Sequence, residues 1–413
     1  MKCMITTSVK KHLLAFAALA MLMVLVSCGR TPKPIPSVTD PGSSAAAQNG
    51  STSAQATGAA QNLGYELYFV NVGKGDCTLI GLPGGKWALM DAGPDSGVAA
   101  INGLLTVLGV KQFEAIFISH PHNDHIGNLD HILSLANTPV IYTGTATFEK
   151  ATDKLNGIAA SHNVPIKTMK PTQSVTVAGV TFTALGPNGS FKEENDNSLV
   201  LMMEYGGVKA LFPGDQQTEA EASLLKSVRD VRSTILKVAH HGQPDASSEA
   251  FLKAVSPQIA VIPTSGDADQ GPDIIVLDRL KTLNATTYVV GQTGTLRYSS
   301  ADGSIAPLSP PGPAAGLAIK AIDAKAEYVD ITNPTDGDVD MTGWCLLSDK
   351  GNQAFFFPER FVLKAGETIR IWSGVAEQES KGGLYWSAKK IWSDKKEDKA
   401  SLVDPYGRIV STR

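Results

Sequence analysis

Apolar positions fall along this chain in blocks with different periods. Leu13 to Val26 is a continuous apolar run. From Arg30 to about Asn62 the chain is Thr, Pro, Ser, Ala, Gly and Gln, with almost no large apolar side chain. A segment with so little to bury is expected to be a disordered tether over 29–62. The pattern changes at Leu63. Tyr65–Val70 reads as a strand, Trp87–Met90 as a second one ending at Asp91-Ala-Gly93, and Val98–Leu108 has helical spacing. Ala115–Ile118 is a short, continuously apolar block, the mark of a buried strand, and it runs directly into Ser119-His120. Further strands are expected at Pro139–Tyr142, Val175–Val177, Phe182–Ala184, Ser198–Glu204, Val208–Phe212, Thr234–Val238, Ile259–Ile262 and Thr287–Val290. Helices are expected near 127–136, 148–161, 216–229, 247–254 and 274–283. Strands alternating with helices, plus hairpins such as Glu204–Val208, predict a layered α/β sandwich over 63–300. Pro307, Pro310, Pro311 and Pro313 mark 301–316 as a linker. Trp344, Trp372, Trp386 and Trp392 then lie among short strands and turn residues, predicting a small all-β sandwich over 317–413.

Composition changes this picture mainly at the N-terminus. The chain has 413 residues and 43% apolar content, enough for two folded units. Its formal charge of -4 gives no global sign of a polyanion-binding protein. Lys2, Lys10 and Lys11 precede the apolar run without an acid among them, as in a signal peptide over 1–28. The run ends in Leu25-Val26-Ser27-Cys28, which resembles the bacterial lipobox. That resemblance implies a lipid on Cys28 and a protein anchored outside the cytoplasmic membrane. Of the remaining cysteines, Cys77 and Cys345 fall in different predicted domains, so each is expected to be a small buried apolar residue rather than half of a disulfide.

The chemistry concentrates in Ser119-His120-Pro121-His122-Asn123-Asp124-His125-Ile126-Gly127. Imidazoles and a carboxylate this dense, just after a buried strand, can converge on one point and suit zinc and its neighbours. Clustered polar groups are costly to bury without a partner, which argues against a packing role. Two further segments end apolar strands on polar residues: Leu211-Phe-Pro-Gly214-Asp215, and Ile235-Leu-Lys-Val-Ala-His240-His241-Gly242. Alone, an aspartate after Pro-Gly is as well explained by a turn.

Taken in order, these segments resemble the metallo-β-lactamase superfamily, whose HxHxDH motif matches residues 120–125. Val72-Gly73-Lys74-Gly75-Asp76, Asn197-Ser198-Leu-Val-Leu201, Phe212–Asp215 and Leu236–Gly242 are similar to the hydrolase domain of ComEC-type DNA-uptake proteins and their free-standing relatives. The resemblance implies an αββα sandwich with metals at one edge. It implies that His120 and His122 hold a first metal and that Asp124 and His125 hold a second. Asp215 would bridge them, one of His240 and His241 would complete the second site, and the other would touch substrate. Asp91 would orient a ligand imidazole from behind. Asn197 and Ser198 would donate to a substrate phosphate. Where the superfamily carries a third histidine for the first metal, this chain reads Asn195-Asp196-Asn197-Ser198, one imidazole short. Where ComEC-type relatives often carry Asp, this chain has His122. Two zinc ions are the expected cofactor, with manganese or a single ion as alternatives.

Such a centre lowers the pKa of a shared water toward ~7 and clamps two substrate oxygens, which suits phosphodiester hydrolysis. Asp124 or a neighbouring histidine would pass a proton to the leaving group. The expected function is therefore a surface-anchored phosphodiesterase or nuclease acting on DNA. The alternatives are a phosphoester hydrolase on cell-wall or phosphocholine substrates, and a non-catalytic binding protein. The tail, with Asn333-Pro334, Gly343-Trp344 and Ser348-Asp349, resembles a lamin-tail domain, an Ig-like module expected to bind a polymer or a partner protein. Lys381–Lys399 mixes lysines with Tyr385, Trp386 and Trp392. It reads either as a grip for a nucleic-acid strand or as a solvated hairpin over a tryptophan core.

Overall fold

The computed structural model describes residues 64–146, 148–267, 270–308, 316–351, 353–380, 382–393 and 398–413. The signal segment, Cys28 and the tether lie outside them.

Two sheets face each other. The first has the order β15-β14-β1-β2-β3-β4-β5-β6, from Glu66–Phe69 (β1), Cys77–Leu82 (β2), Lys86–Ala92 (β3), Ala115–Ile118 (β4), Ile141–Thr143 (β5), Ile166–Thr168 (β6), Leu296–Ser299 (β14) and Ile305–Pro307 (β15). The second has the order β13-β12-β11-β10-β9-β8-β7, from Ser174–Val177 (β7), Val180–Gly186 (β8), Val200–Tyr205 (β9), Val208–Phe212 (β10), Ile235–Lys237 (β11), Ile259–Ile262 (β12) and Thr286–Val289 (β13). Between them Leu67, Phe69, Met90 and Phe117 meet Phe182, Leu201, Met203 and Phe212. The outer face of the first sheet packs Leu89, Ile116 and Ile118 on Val98–Val107 (α1) through Ile101, Leu104 and Leu105. The outer face of the second packs Met202, Leu211 and Leu236 on helices 218–227, 249–255 and 274–282 through Leu224, Phe251 and Leu280. Both faces of the central strands are covered, which is why Ala115–Ile118 and Ile259–Ile262 read as unbroken apolar blocks. The result is an αββα sandwich.

Four strands depart from the sequence reading; Ile166–Thr168 and Leu296–Ser299, each short and part polar, are two of them. Cys77–Leu82 was not expected, because the turn residues before it masked a fully buried strand paired with both β1 and β3. Ile305–Pro307 was expected in the linker over 301–316 but pairs with β14. The cause is the turn between them: Asp302 accepts the Ser304 N–H and hydroxyl, and Gly303 takes φ +70°, folding the chain back on the sheet.

Residues 316–413 form two four-stranded sheets and a two-stranded one around Trp344, Leu346, Ile371, Trp392 and Leu402. Trp386 packs edge-on to Trp392 at 5.6 Å, so both tryptophans of the basic–aromatic stretch belong to this core. Cys77 and Cys345 are buried free thiols. Among the described residues no helix is long and apolar enough to cross a membrane.

Candidate metal centre

The centre lies where β4, β10 and β11 end. Past Ile118 the chain turns through buried Ser119 and His120 into a one-turn helix, Asn123–Ile126 (α2), with His122 at its N-cap. Gly127 explains the Asp-His-x-Gly spacing: a Cβ there would lie 2.4 Å from Asp95 N and 2.7 Å from Asn123 O. Any side chain would push this turn off the β3 loop. Gly214 plays the same part after β10. Its φ is +60°, and a Cβ would meet Ser119 Cβ and Ser198 Cβ at 2.8 Å, so Asp215 emerges between those two serines.

Asp124, His125, Asp215 and His241 each offer a ligand atom, all within 4.8 Å of one another. Asp215 Oδ2 is 3.2 Å from both His125 Nε2 and His241 Nε2, and His241 Nε2 is 3.2 Å from Asp124 Oδ2. Beside them, His120 Nε2 and His122 Nδ1 approach to 3.0 Å, and the His120 and His125 ring centroids are 4.1 Å apart. Three of these imidazoles are held from the far side. His125 Nδ1 is 3.0 Å from Asp91 Oδ2, and Asp91 is fixed by the Ser119 N–H and hydroxyl at 2.7 and 2.8 Å. His241 Nδ1 is 3.0 Å from Pro263 O, and His122 Nε2 is 2.9 Å from Glu194 Oε2. These outer partners leave His125 Nε2, His241 Nε2 and His122 Nδ1 turned inward.

The charges fit a cation. Asp76, Asp91, Asp124 and Asp215 crowd this locus around one buried cation, the Lys237 amine, which contacts Asp76, Gly214 O at 2.8 Å and Asp215 Oδ1 at 3.5 Å. Without a metal, protons on imidazole make up the difference. Burial opposes charge on His125, yet Asp215, Asp76 and Asp91 outweigh it and push the group up to about 10. His241 is raised well above its ordinary range by the same contest between burial and Asp215. Asp215 is held well below the carboxylate range: burial works against it, but His241, His125 and Lys237 prevail. His120, buried beside protonated His125, is driven well down. His125 Nε2 is buried facing carboxylates, Asp215 Oδ2 at 3.2 Å and Asp124 Oδ1 at 4.0 Å. A nitrogen so placed, within a set of imidazole and carboxylate donors, fits zinc or a similar divalent ion.

The structure assigns different work to some expected residues. Of the histidine pair, His241 joins the cluster. His240 lies at its rim, 18% exposed at the side chain, with Nδ1 2.8 Å from Asp245 Oδ1 and Nε2 3.2 Å from Asn195 Nδ2. Asn197 is not free to meet a substrate: its amide donates to Phe191 O and Glu193 O and accepts the Phe191 N–H, pinning its own loop. The Ser198 hydroxyl donates to Asn195 O and accepts the Asp215 N–H at 3.2 Å, so it positions Asp215. Sequence reasoning gave no role to Asp76, Lys237 or Asp245. The signal for Lys237 was present, since a lysine inside the apolar block Ile235-Leu-Lys-Val demands a buried partner.

Comparison with known proteins places these observations. Residues 70–266 match the metallo-beta-lactamase superfamily and residues 310–413 the lamin tail domain. ComE operon protein 3 of Bacillus subtilis (strain 168) is 27% identical over 254 residues, covering 56% of this chain and 33% of that protein. Competence protein ComA of Neisseria gonorrhoeae is 28% identical over 204 residues, covering 49% of this chain and 27% of its own length. The chain thus spans a third or less of these curated relatives. The metallo-beta-lactamase fold protein YhfI from Bacillus subtilis covers 55% of this chain and 96% of its own, at 14% identity and a TM-score of 0.40. With two family matches meeting a sandwich that gathers HxHxDH, Asp215 and His241 at one edge, the chain carries a metallo-beta-lactamase superfamily domain followed by a C-terminal lamin tail domain.

Proposed function

We propose that this protein is a metal-dependent phosphodiesterase acting on DNA and held outside the cytoplasmic membrane by a lipid on Cys28. The observation that carries the reading is the double donor set: His120 with His122 on one side, and Asp124, His125, Asp215 and His241 on the other. Two divalent cations, zinc or manganese, would supply an activated water and neutralise charge growing on the phosphoryl oxygens. Asp215, between the halves, is the carboxylate they would share. Asp91 and Pro263 O keep the inward nitrogens of His125 and His241 free of protons once metal is bound. Asp124, 34% exposed, and His240, held by Asp245, are the groups at the rim that meet substrate, and either one would take the proton given up by the attacking water and relay it to the departing alkoxide. The choice of DNA is supported by the resemblance to ComEC-type DNA-uptake proteins and by the printed names of the relatives, ComE operon protein 3 and competence protein ComA. The lamin tail domain would then bind the same polymer or a partner protein.

The test is turnover by residues 64–413 loaded with zinc or manganese on bis-p-nitrophenyl phosphate, single- and double-stranded DNA, and phosphocholine esters. Cleavage of the aryl diester and of DNA is expected. Metal bound with no diester cleaved would end the proposal. Cleavage confined to phosphocholine esters would reject DNA. Asp215→Asn is expected to abolish turnover and the pairing of metals. Cys28→Ala in the full chain should move the protein from the membrane to the soluble fraction.

A further inference from the structure

The lamin tail domain does not hang from its linker. One face of its sheet seats on α1, where Ala99 meets Cys345 and Val403 in a small apolar cluster. At the centre of this contact backbone touches backbone: a Cβ on Gly103 would lie 2.7 Å from Gly343 O, Pro405 Cα and Pro405 O. A Cβ on Gly407 would lie 2.6 Å from Ala100 Cβ and 3.0 Å from Asn71 O. His131, on the neighbouring helix Leu129–Leu135, stacks on Phe356 at 5.6 Å.

The turn that makes this contact is stiff. The Asp404 carboxylate accepts the N–H groups of Tyr406 and Arg408, at 2.9 and 3.0 Å, and the Arg408 Nε–H at 2.7 Å. Tyr406 O accepts the Thr295 hydroxyl at 2.8 Å, and Thr295 Oγ1 accepts the Asn71 N–H at 2.9 Å. Asn71 opens the short segment that ends at Asp76. The Asp76 N–H donates to Asp124 O at 3.0 Å. Its carboxylate contacts Lys237 and lies 3.3 Å from His241 Nδ1 and 3.7 Å from His125 Nδ1. The tail is thus two hydrogen bonds from the segment that carries an organiser of the metal ligands.

We propose that the Asp404–Arg408 turn of the lamin tail domain is a positioning element of the metal centre: it clamps Asn71–Asp76 and, through Asp76, sets the imidazoles of His125 and His241. The tail is then a wall of the catalytic domain as well as any binding module it provides. A sequence in which only a proline-rich stretch joins the two would suggest the opposite, that they work apart.

The test uses the full chain with Gly103→Ala, Thr295→Val, Thr295→Ser and Lys111→Ala. Alanine favours the helix more than glycine does, so Gly103→Ala wedges the contact without weakening α1. Thr295→Val removes the hydroxyl at nearly constant volume, and Thr295→Ser restores it. Lys111→Ala removes only an exposed ion pair to Glu359 at the rim of the same contact. The readouts are amide exchange at 70–77 and 403–408 in metal-free protein, and zinc affinity by chelator competition. Gly103→Ala and Thr295→Val should speed exchange at 70–77 and lower zinc affinity about tenfold, the scale seen when an outer-shell partner is lost. Thr295→Ser and Lys111→Ala should match the parent chain. Faster exchange at 403–408 with 70–77 and zinc affinity unchanged overturns the proposal, and so does unchanged exchange at both segments. The proposal takes its metal centre from the function proposed above. Exchange at 70–77 needs neither metal nor substrate, so a failed diesterase assay and a failed clamp are told apart.

Discussion

Lys237 and the carboxylates around it decide how the centre behaves when empty. Removing one partner of a buried ion pair leaves the other uncompensated, at about 3–5 kcal/mol. Lys237→Met should therefore lower the unfolding free energy of metal-free protein by that order in a denaturant titration, and saturating zinc should shrink the loss by taking over the neutralisation. Titration of His125 gives a second expectation. Its folded value of about 10 stands above the ordinary 6.5, so its contribution to stability is complete below about pH 6.5 and is lost as pH rises through about 10. Metal requires neutral imidazole, so zinc uptake at pH 7 should release protons, measurable by calorimetry in buffers of different ionisation enthalpy. Asp91→Asn should weaken zinc binding by about 10–100-fold while leaving the ligands in place. At this scale the sequence was readable wherever residues of one kind cluster: His120, His122, Asp124 and His125 announce themselves. It was silent where a residue's task depends on a distant contact. Asn197 and Ser198 sit in a motif that suggests phosphate donors, and only the fold reveals the hydrogen bonds they make to their own loop and to Asp215.

Among elements, the helices and the apolar central strands were legible because burial on both faces leaves an unbroken signature. Cys77–Leu82 was missed because Gly81 and the polar turn before it dilute that signature, although β1 and β3 bury the strand completely. Ile305–Pro307 was missed because proline reads as a break, yet an edge strand tolerates it. The ends of the strands carry the chemistry, and their geometry is exacting. Gly214→Ala adds a Cβ 2.8 Å from two serines and fixes a left-handed backbone on an L-residue, itself worth about 1–2 kcal/mol. Urea unfolding should show a loss larger than that figure, and zinc affinity should fall because Asp215 shifts with the turn.

For the molecule as a whole, two folded units were evident from composition, but their attachment was not. Gly103, Gly343 and Gly407 look like ordinary glycines in a helix and two turns, and the contact that needs them joins residues some three hundred positions apart. Deleting 317–413 would bare Ala99, Ala100 and Gly103 of α1 to water. The truncated protein should unfold at lower temperature than the full chain in a thermal melt and bind a hydrophobic dye, where independent modules would leave the catalytic half unaffected.

The left-handed turn at His240 and His241, with φ of 48° and 54°, bears on how any mutational survey of this centre is read. Two successive L-residues there already occupy a costly region, and a β-branched replacement would occupy it at greater cost. Loss of activity in a valine or threonine variant would mix backbone rearrangement with loss of an imidazole. Asparagine, which enters this region more readily, keeps the loop and changes only the side chain. The same holds for Asp91, at φ 57°. Asparagine is thus the informative replacement at all three positions.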